Sequence, residues 1–389
     1  MATATKTVLL VNELGAGYGH VAPLLRVGSA LAEHGVRIVS AMADVVRPGL
    51  LLRRVGFPVL QAPKWPGVRT ETGASYGDLL ALLGFDSVPA LMLMTSAWQD
   101  LFDLVSPDLI IANHSPTAAL TARWSIPLAL MGNGFELPPT NIAEFPPLKS
   151  GVAPVAEQAK LLETVTEVQR HRGRDVPQTL PSIFAAEYRG ICVLPELDPY
   201  GEQRDEPVLG PVEPLPAYRP RPGDRSVFAY VGVEHPDLYE ITAGLGAADA
   251  DVTCHVRGDP GKIGASLSER GVTVLAEPAD LIEFLPASAA IVGYASAGIA
   301  QAALAAGRPQ LSLPYDLEKD ANADALDRLG VSRTLEVGLT APQVCDALDA
   351  ILSEDRYAHH AAVCAQSIMG RGPTDALGTI VEACLSLLD

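Results

Sequence analysis

Apolar residues in this chain fall into short runs separated by stretches of helical spacing, and the alternation repeats along its length. Thr7–Asn12 (TVLLVN) is a β-rich run that meets a glycine-rich turn, and residues 21–33 then carry apolar positions at helical period and stop before Gly35. Residues 36–42 (VRIVSAM), 107–112 (PDLIIA) and 126–131 (IPLALM) read as further strands. Strands alternating with helices predict a parallel sheet covered on both faces, an α/β doubly wound domain whose ligands sit beyond the carboxyl ends of its strands.

Prolines 195, 199, 207, 211, 214, 216, 220 and 222 then exclude continuous helix or central strand. Beyond them the alternation restarts, with strands at 226–231, 252–256, 272–275, 289–292 and 309–313. The pattern predicts two doubly wound, Rossmann-like domains: residues 1–210, a linker at 211–225, and residues 226–389. The last amphipathic stretch, Ala376–Leu388, reads as a helix on the body of the protein, with the N-terminal domain as one place for it to pack.

Composition narrows the function classes. The 46 acidic and 28 basic residues give a formal charge of −18, against a chain that neutralises phosphate backbones, so nucleic acid is excluded as a partner. With 48% hydrophobic and 19% charged residues there is ample material for sizeable cores. One lysine precedes only four strongly apolar residues at the N-terminus, short of a signal-peptide core and of the ~20 residues that span a bilayer. Five scattered cysteines without a C-x-x-C pair fit free thiols in a reducing cytosol and no structural zinc site. The expectation is a cytoplasmic protein with no membrane span, no metal and no bound cofactor.

Three strand ends carry candidate chemistry. The loop from Gly15 to His20 (GAGYGH) lets the backbone approach a ligand and presents a titratable imidazole. It departs from a dinucleotide fingerprint, because His20 occupies the third glycine's place; a tight turn with a surface histidine is the plain structural reading. The run from Ile291 to Gly298 passes from a strand into the helix Ala297–Ala306, where Ser296 is either a simple N-cap or part of a phosphate site. A polar cluster from Pro314 to Asn322 follows the next strand and should emerge on the same rim.

Together these pieces resemble the family 1 glycosyltransferases of the two-domain GT-B fold, over nearly the whole chain. Gly19-His20-Val21-Ala22-Pro23 is similar to their G-H-x-x-P element, and Leu209-Gly210-Pro211 to their interdomain segment. Gly298, Ala303, Leu304, Gly307, Pro309, Pro314 and Asn322 fall in register with their donor motif. In that register Tyr294 replaces the phosphate-binding histidine, Ala295 and Ser296 two glycines, Ile299 a threonine, and Ala302 the ribose-binding glutamate; Glu318-Lys319 replaces an Asp-Gln pair. Asn113 stands near the aspartate that orients the histidine, and Ala276 or Glu277 where an indole stacks on the base.

The resemblance implies domains facing across a cleft, the first binding an acceptor and the second a nucleotide-linked donor. It implies inverting transfer of a sugar from a UDP- or dTDP-sugar co-substrate to a small, apolar acceptor. His20 would be the general base, held by Asn113, which cannot add charge. Tyr294, Ser296, Ala297, Gly298, Glu318, Lys319 and Asn322 would bind the donor, with Tyr294 and Lys319 making good the lost contacts. Gly17, Trp65, Met94, Trp98 and Phe135, with Met92 and the loop from Gly132 to Glu136, would line the acceptor pocket. Two other classes stay open: a repurposed or inactive binding protein of this fold, motivated by the altered donor positions, and a nicotinamide-dependent oxidoreductase built on Gly15 and Gly17.

Overall fold

The computed structural model describes residues 5–15, 17–67, 73–258, 261–277 and 279–389. The chain divides into two units, Met1–Glu213 with Thr374–Asp389, and Pro214–Pro373.

In the first unit the chain runs β1 (Thr7–Asn12), α1 (Tyr18–Glu33), β2 (Arg37–Met42), α2 (Pro48–Arg54), β3 (Val59–Gln61), α3 (Tyr76–Leu80), α4 (Val88–Val105), β4 (Leu109–Asn113), α5 (Pro116–Ala122), β5 (Leu128–Gly132), α6 (Gln158–His171) and β6 (Tyr188–Ile191). The second unit has β7 (Ser226–Gly232), α7 (Leu238–Ala247), β8 (Asp251–Arg257), α8 (Gly261–Glu269), β9 (Thr273–Leu275), α9 (Leu281–Ala287), β10 (Ala290–Gly293), α10 (Ala297–Ala306), β11 (Gln310–Ser312), α11 (Leu317–Arg328), β12 (Ser332–Thr334), α12 (Ala341–Ser353) and α13 (Asp355–Gly370). The final helix, α14 (Ala376–Leu388), belongs to the first unit and packs on α1, β4 and β6.

Each unit holds a parallel six-stranded sheet, in the orders β3-β2-β1-β4-β5-β6 and β12-β11-β10-β7-β8-β9. The central strands are buried on both faces, as their unbroken apolar runs require: β1, β4 and β5 are buried at every residue. Strand order reverses between β1 and β4 in the first sheet and between β7 and β10 in the second. These are the topological switch points, where an open α/β sheet leaves room for a ligand beyond its strand ends.

Two expected boundaries move. Helix α1 begins at Tyr18 rather than residue 21, so His20 lies in its first turn. The proline-rich segment is not a separate linker from 211 to 225. Val212 is buried in the first core, whereas Arg308 takes the carbonyls of Arg219 and Pro220, and Arg221 donates to Ala289 and Leu352 in the second unit. Residues 374–389 leave the second unit because Ile380, Val381, Cys384 and Leu388 bury their apolar face in the first core. Among the described residues, no single helix is long and apolar enough to cross a membrane.

Candidate active site

At the first switch point the loops after β1 and β4 are stitched together. Leu14 N–H donates to the His114 carbonyl (3.0 Å), Glu13 N–H to Ser115 Oγ (2.8 Å), and Asn12 Nδ2 to the carbonyls of Leu14 (2.7 Å) and Asn113 (3.3 Å). His114 adopts the left-handed backbone conformation (φ 44°), uncommon for a residue with a side chain.

His20 projects from the first turn of α1 toward these strand ends. Its Nδ1 lies 2.8 Å from Glu136 Oε1 and 3.1 Å from Asn113 Oδ1. The Asn113 amide is oriented from behind, since its Nδ2 donates to the Met131 carbonyl (3.0 Å) and to Glu136 Oε2 (2.9 Å). Two oxygen acceptors on Nδ1 require that nitrogen to carry the proton, so Nε2 holds the lone pair of the neutral ring. Asn133 N–H also donates to Glu136 Oε2 (2.9 Å). Burial works to raise the Glu136 pKa, but the charge that His20 carries once protonated and its hydrogen bond, the charge of a protonated His114 and the Asn133 N–H outweigh it, holding this buried side chain as a carboxylate.

Glycines make the arrangement possible at two places. A Cβ on Gly15 (φ 86°) would stand 2.2 Å from His20 Nε2, and one on Gly132 would stand 2.4 Å from Glu136 Oε2. Gly17 is the residue before α1 and provides no capping side chain, and Ala16 lies outside the described residues. His114 stands beside the pair, its ring centroid 5.5 Å from that of His20 and 6.1 Å from that of Phe135.

The other residues expected in an acceptor pocket divide. Phe135 packs on Tyr76 at 5.4 Å, within a cluster that includes Phe145 and Phe184. Trp65 is half-buried, with its ring over Gly67 and Gly84. Met94 and Trp98 are core residues of α4: Trp98 is wholly buried against Phe102, so neither offers a surface to an acceptor. Their spacing on α4 is the period of a packed face, which the sequence does not separate from a binding face.

At the second switch point Ala295 takes the left-handed conformation (φ 59°), its carbonyl held by Asn322 Nδ2 at 2.9 Å. Asn322 is thus a buried support for the loop rather than a surface group. Ser296 precedes α10 without capping it through its side chain, Ala297 is buried, and Gly298 is exposed. The first turn of α10 therefore presents backbone N–H groups and the positive end of its dipole.

Tyr294 and Lys319 are both engaged by other side chains of the second unit. Tyr294 is 2% exposed, its hydroxyl sealed inside, and its ring lies among Tyr230, His235 and Tyr315. A phenol is larger than the imidazole it replaces in the motif, and apolar packing draws it into the core. Lys319 pairs with Asp316, the N-cap of α11, and its ammonium lies 4.7 Å from the Tyr315 ring. Glu318 is half-buried beside it on the first turn of α11.

Sequence reading left His114, Glu13 and Arg257 without roles and placed Glu136 in the acceptor loop, not beside His20. For Glu136 a signal existed: an acid within the apolar stretch after β5, in the very loop assigned to the acceptor.

No protein-family model matches the chain, and no curated protein matches its sequence. Solved structures do match it. The calicheamicin glycosyltransferase CalG4 is similar over 99% of both chains, at 18% identity and a TM-score of 0.70. The glycosyltransferase VinC in complex with dTDP is similar over 98% of this chain and 99% of its own, at 15% identity and a TM-score of 0.63. The glycosyltransferase SnogD from Streptomyces nogalater is similar over 99% of this chain and all of its own, at 17% identity and a TM-score of 0.60. The chain has the GT-B fold, two doubly wound α/β units, that is found in these glycosyltransferases.

Proposed function

We propose that this protein is a glycosyltransferase that moves a sugar from a nucleoside diphosphate sugar to a hydroxyl of a small, apolar acceptor. The observation that carries this reading is the His20–Glu136–Asn113 constellation at the switch point of the first sheet. An imidazole with Nδ1–H fixed on a buried carboxylate is the arrangement that makes Nε2 a base near neutral pH and stabilises the imidazolium after proton transfer. Nε2 takes the acceptor hydroxyl proton as its oxygen attacks the anomeric carbon, and the bond to the diphosphate breaks with inversion.

The second unit holds the donor. Backbone N–H groups at the start of α10 meet the diphosphate, and Asn322 keeps the loop before it in shape. The donor is a dTDP- or UDP-sugar; the dTDP held by VinC, at the same fold, supports a nucleotide of this class. Five free cysteines and the acidic charge fit a cytoplasmic enzyme.

A repurposed binding protein is the second reading, favoured by the burial of Tyr294 and the engagement of Lys319. Mass spectrometry of hydroxylated apolar acceptors incubated with UDP- and dTDP-sugars separates the two. A mass gain of one glycosyl residue, lost in His20→Ala, is expected of the transferase; nucleotide binding without any transfer across the panel would favour the binding protein.

A further inference from the structure

The donor motif has lost its phosphate-binding histidine, and neither Tyr294 nor Lys319 takes its place. We propose that Arg257, at the end of β8, is the side-chain cation that binds the diphosphate, and that Glu234 holds it in reserve until the ligand arrives. This rests on the donor-binding reading of the second unit.

Sheet register sets the position. Arg257 pairs with Gly232 of β7, and β10 pairs with β7 so that Val292 faces Ala229. β8 and β10 thus flank β7, and their carboxyl ends open on the same rim of the sheet. One strand separates them, about 10 Å at ~4.8 Å per strand, within the combined reach of a long guanidinium side chain and a diphosphate seated on α10. The guanidinium lies 5.9 Å from the ring of Tyr294, the residue standing where the motif has histidine.

The chemistry also fits. Arg257 ion-pairs with Glu234, and its Nη2 donates to Tyr315 Oη (3.2 Å), which donates to Glu234 Oε1 (3.0 Å). The side chains of Arg257 and Glu234 are 27% and 38% exposed, so solvent and ligand reach the pair. Arg257 Nε is buried and makes no hydrogen bond. A guanidinium offers a fork of donors matched to phosphate oxygens. His235 is no rival: its Nδ1 accepts from Asp237 N–H (3.0 Å), which commits Nε2–H to the Leu313 carbonyl (3.2 Å) and leaves the ring neutral. A diphosphate carries more charge than Glu234 and competes for the same donors, so the carboxylate gives way when the donor binds.

Calorimetry with dTDP and UDP, and with thymidine and uridine as phosphate-free probes, tests the assignment on the native protein and on Arg257→Met, Arg257→Lys and Glu234→Gln. Arg257→Met should weaken both diphosphates at least tenfold and leave nucleoside affinity unchanged. Arg257→Lys should fall between, and Glu234→Gln should tighten the diphosphates severalfold. Native affinity for the diphosphates in Arg257→Met would overturn the role of Arg257 while leaving the donor reading intact, as would an equal loss for nucleosides. No binding of either diphosphate to the native protein would overturn both. Should Arg257→Met fail to fold, Glu234→Gln decides: diphosphate affinity no tighter than native overturns the proposal.

Discussion

His20 Nδ1 lies 2.8 Å from Glu136 Oε1, a carboxylate that reaches the imidazole from the turn after β5 rather than from the end of β4. Asn113, at the β4 end, is neutral and bonds both partners. Charge and orientation for the histidine thus come from two residues: the glutamate supplies the anion and the asparagine aims it. An aspartate at position 113 alone would do both.

Replacing Asn113 with aspartate should therefore harm the site. Its amide now donates to Glu136 Oε2; an aspartate there would set two carboxylates face to face, and one would keep a proton at neutral pH. The pKa of the pair is then raised in the folded state, so the loss of stability, about 1–3 kcal/mol, is present at neutral pH and shrinks on acidification. Denaturant melts of Asn113→Asp and the native protein at pH 5 and pH 8 check the sign.

Gly15→Ala should reduce turnover with little change in cooperativity of unfolding. The added Cβ would meet His20 Nε2 at 2.2 Å and demand φ 86° of an alanine. About 1–2 kcal/mol of strain is expected locally, and His20 must rotate away from Glu136. Loss of activity larger than the loss of stability, measured side by side, is the predicted outcome.

Glu13 gives the protein a pH-dependent stability. Burial pushes its carboxyl up from 4.5 to about 7, against the opposing hydrogen bonds of Thr117 and Ala118 at the start of α5 and of Trp98 on α4. The folded chain keeps a proton that the unfolded chain loses, so stability falls as pH rises from 4.5 to 7. The full effect is roughly 3 kcal/mol at ~1.36 kcal/mol per pH unit. Glu13→Gln does not titrate, and its stability relative to the native protein should rise by that amount between pH 4.5 and pH 8, as read from urea melts.

The Tyr294 hydroxyl is buried without a partner, so Tyr294→Phe removes an unsatisfied polar group. Its Tm should stay level or rise, and dTDP affinity should change less than threefold. A tenfold loss of affinity in calorimetry would return the phenol to the ligand.

Much of this was legible in residues. The long central strands announce themselves as unbroken apolar runs, and the His20 turn and the α10 turn stand at strand ends where a parallel sheet puts ligands. The edge strands β3, β6 and β12 escaped notice because three or four half-buried residues carry no pattern. Motif register identifies which residue stands in a slot but not whether its side chain faces the ligand; Tyr294 fills the histidine's slot and turns into the core. Glu136 stood out in its loop, but its pairing did not. Its partner His20 lies far away in sequence, joined only when β1, β4 and β5 align.

The most direct test of the account is the turnover of His20→Ala, Glu136→Gln and the double variant with an acceptor and donor that the native protein joins. Each single variant should lose roughly 10²–10⁴-fold in kcat, and the double variant should be no slower than the worse single, because the two groups act as one base. In Glu136→Gln the residual rate should also have its acid limb at lower pH, since loss of the anion disfavours imidazolium. Native turnover in Glu136→Gln, or losses that multiply in the double variant, would contradict it.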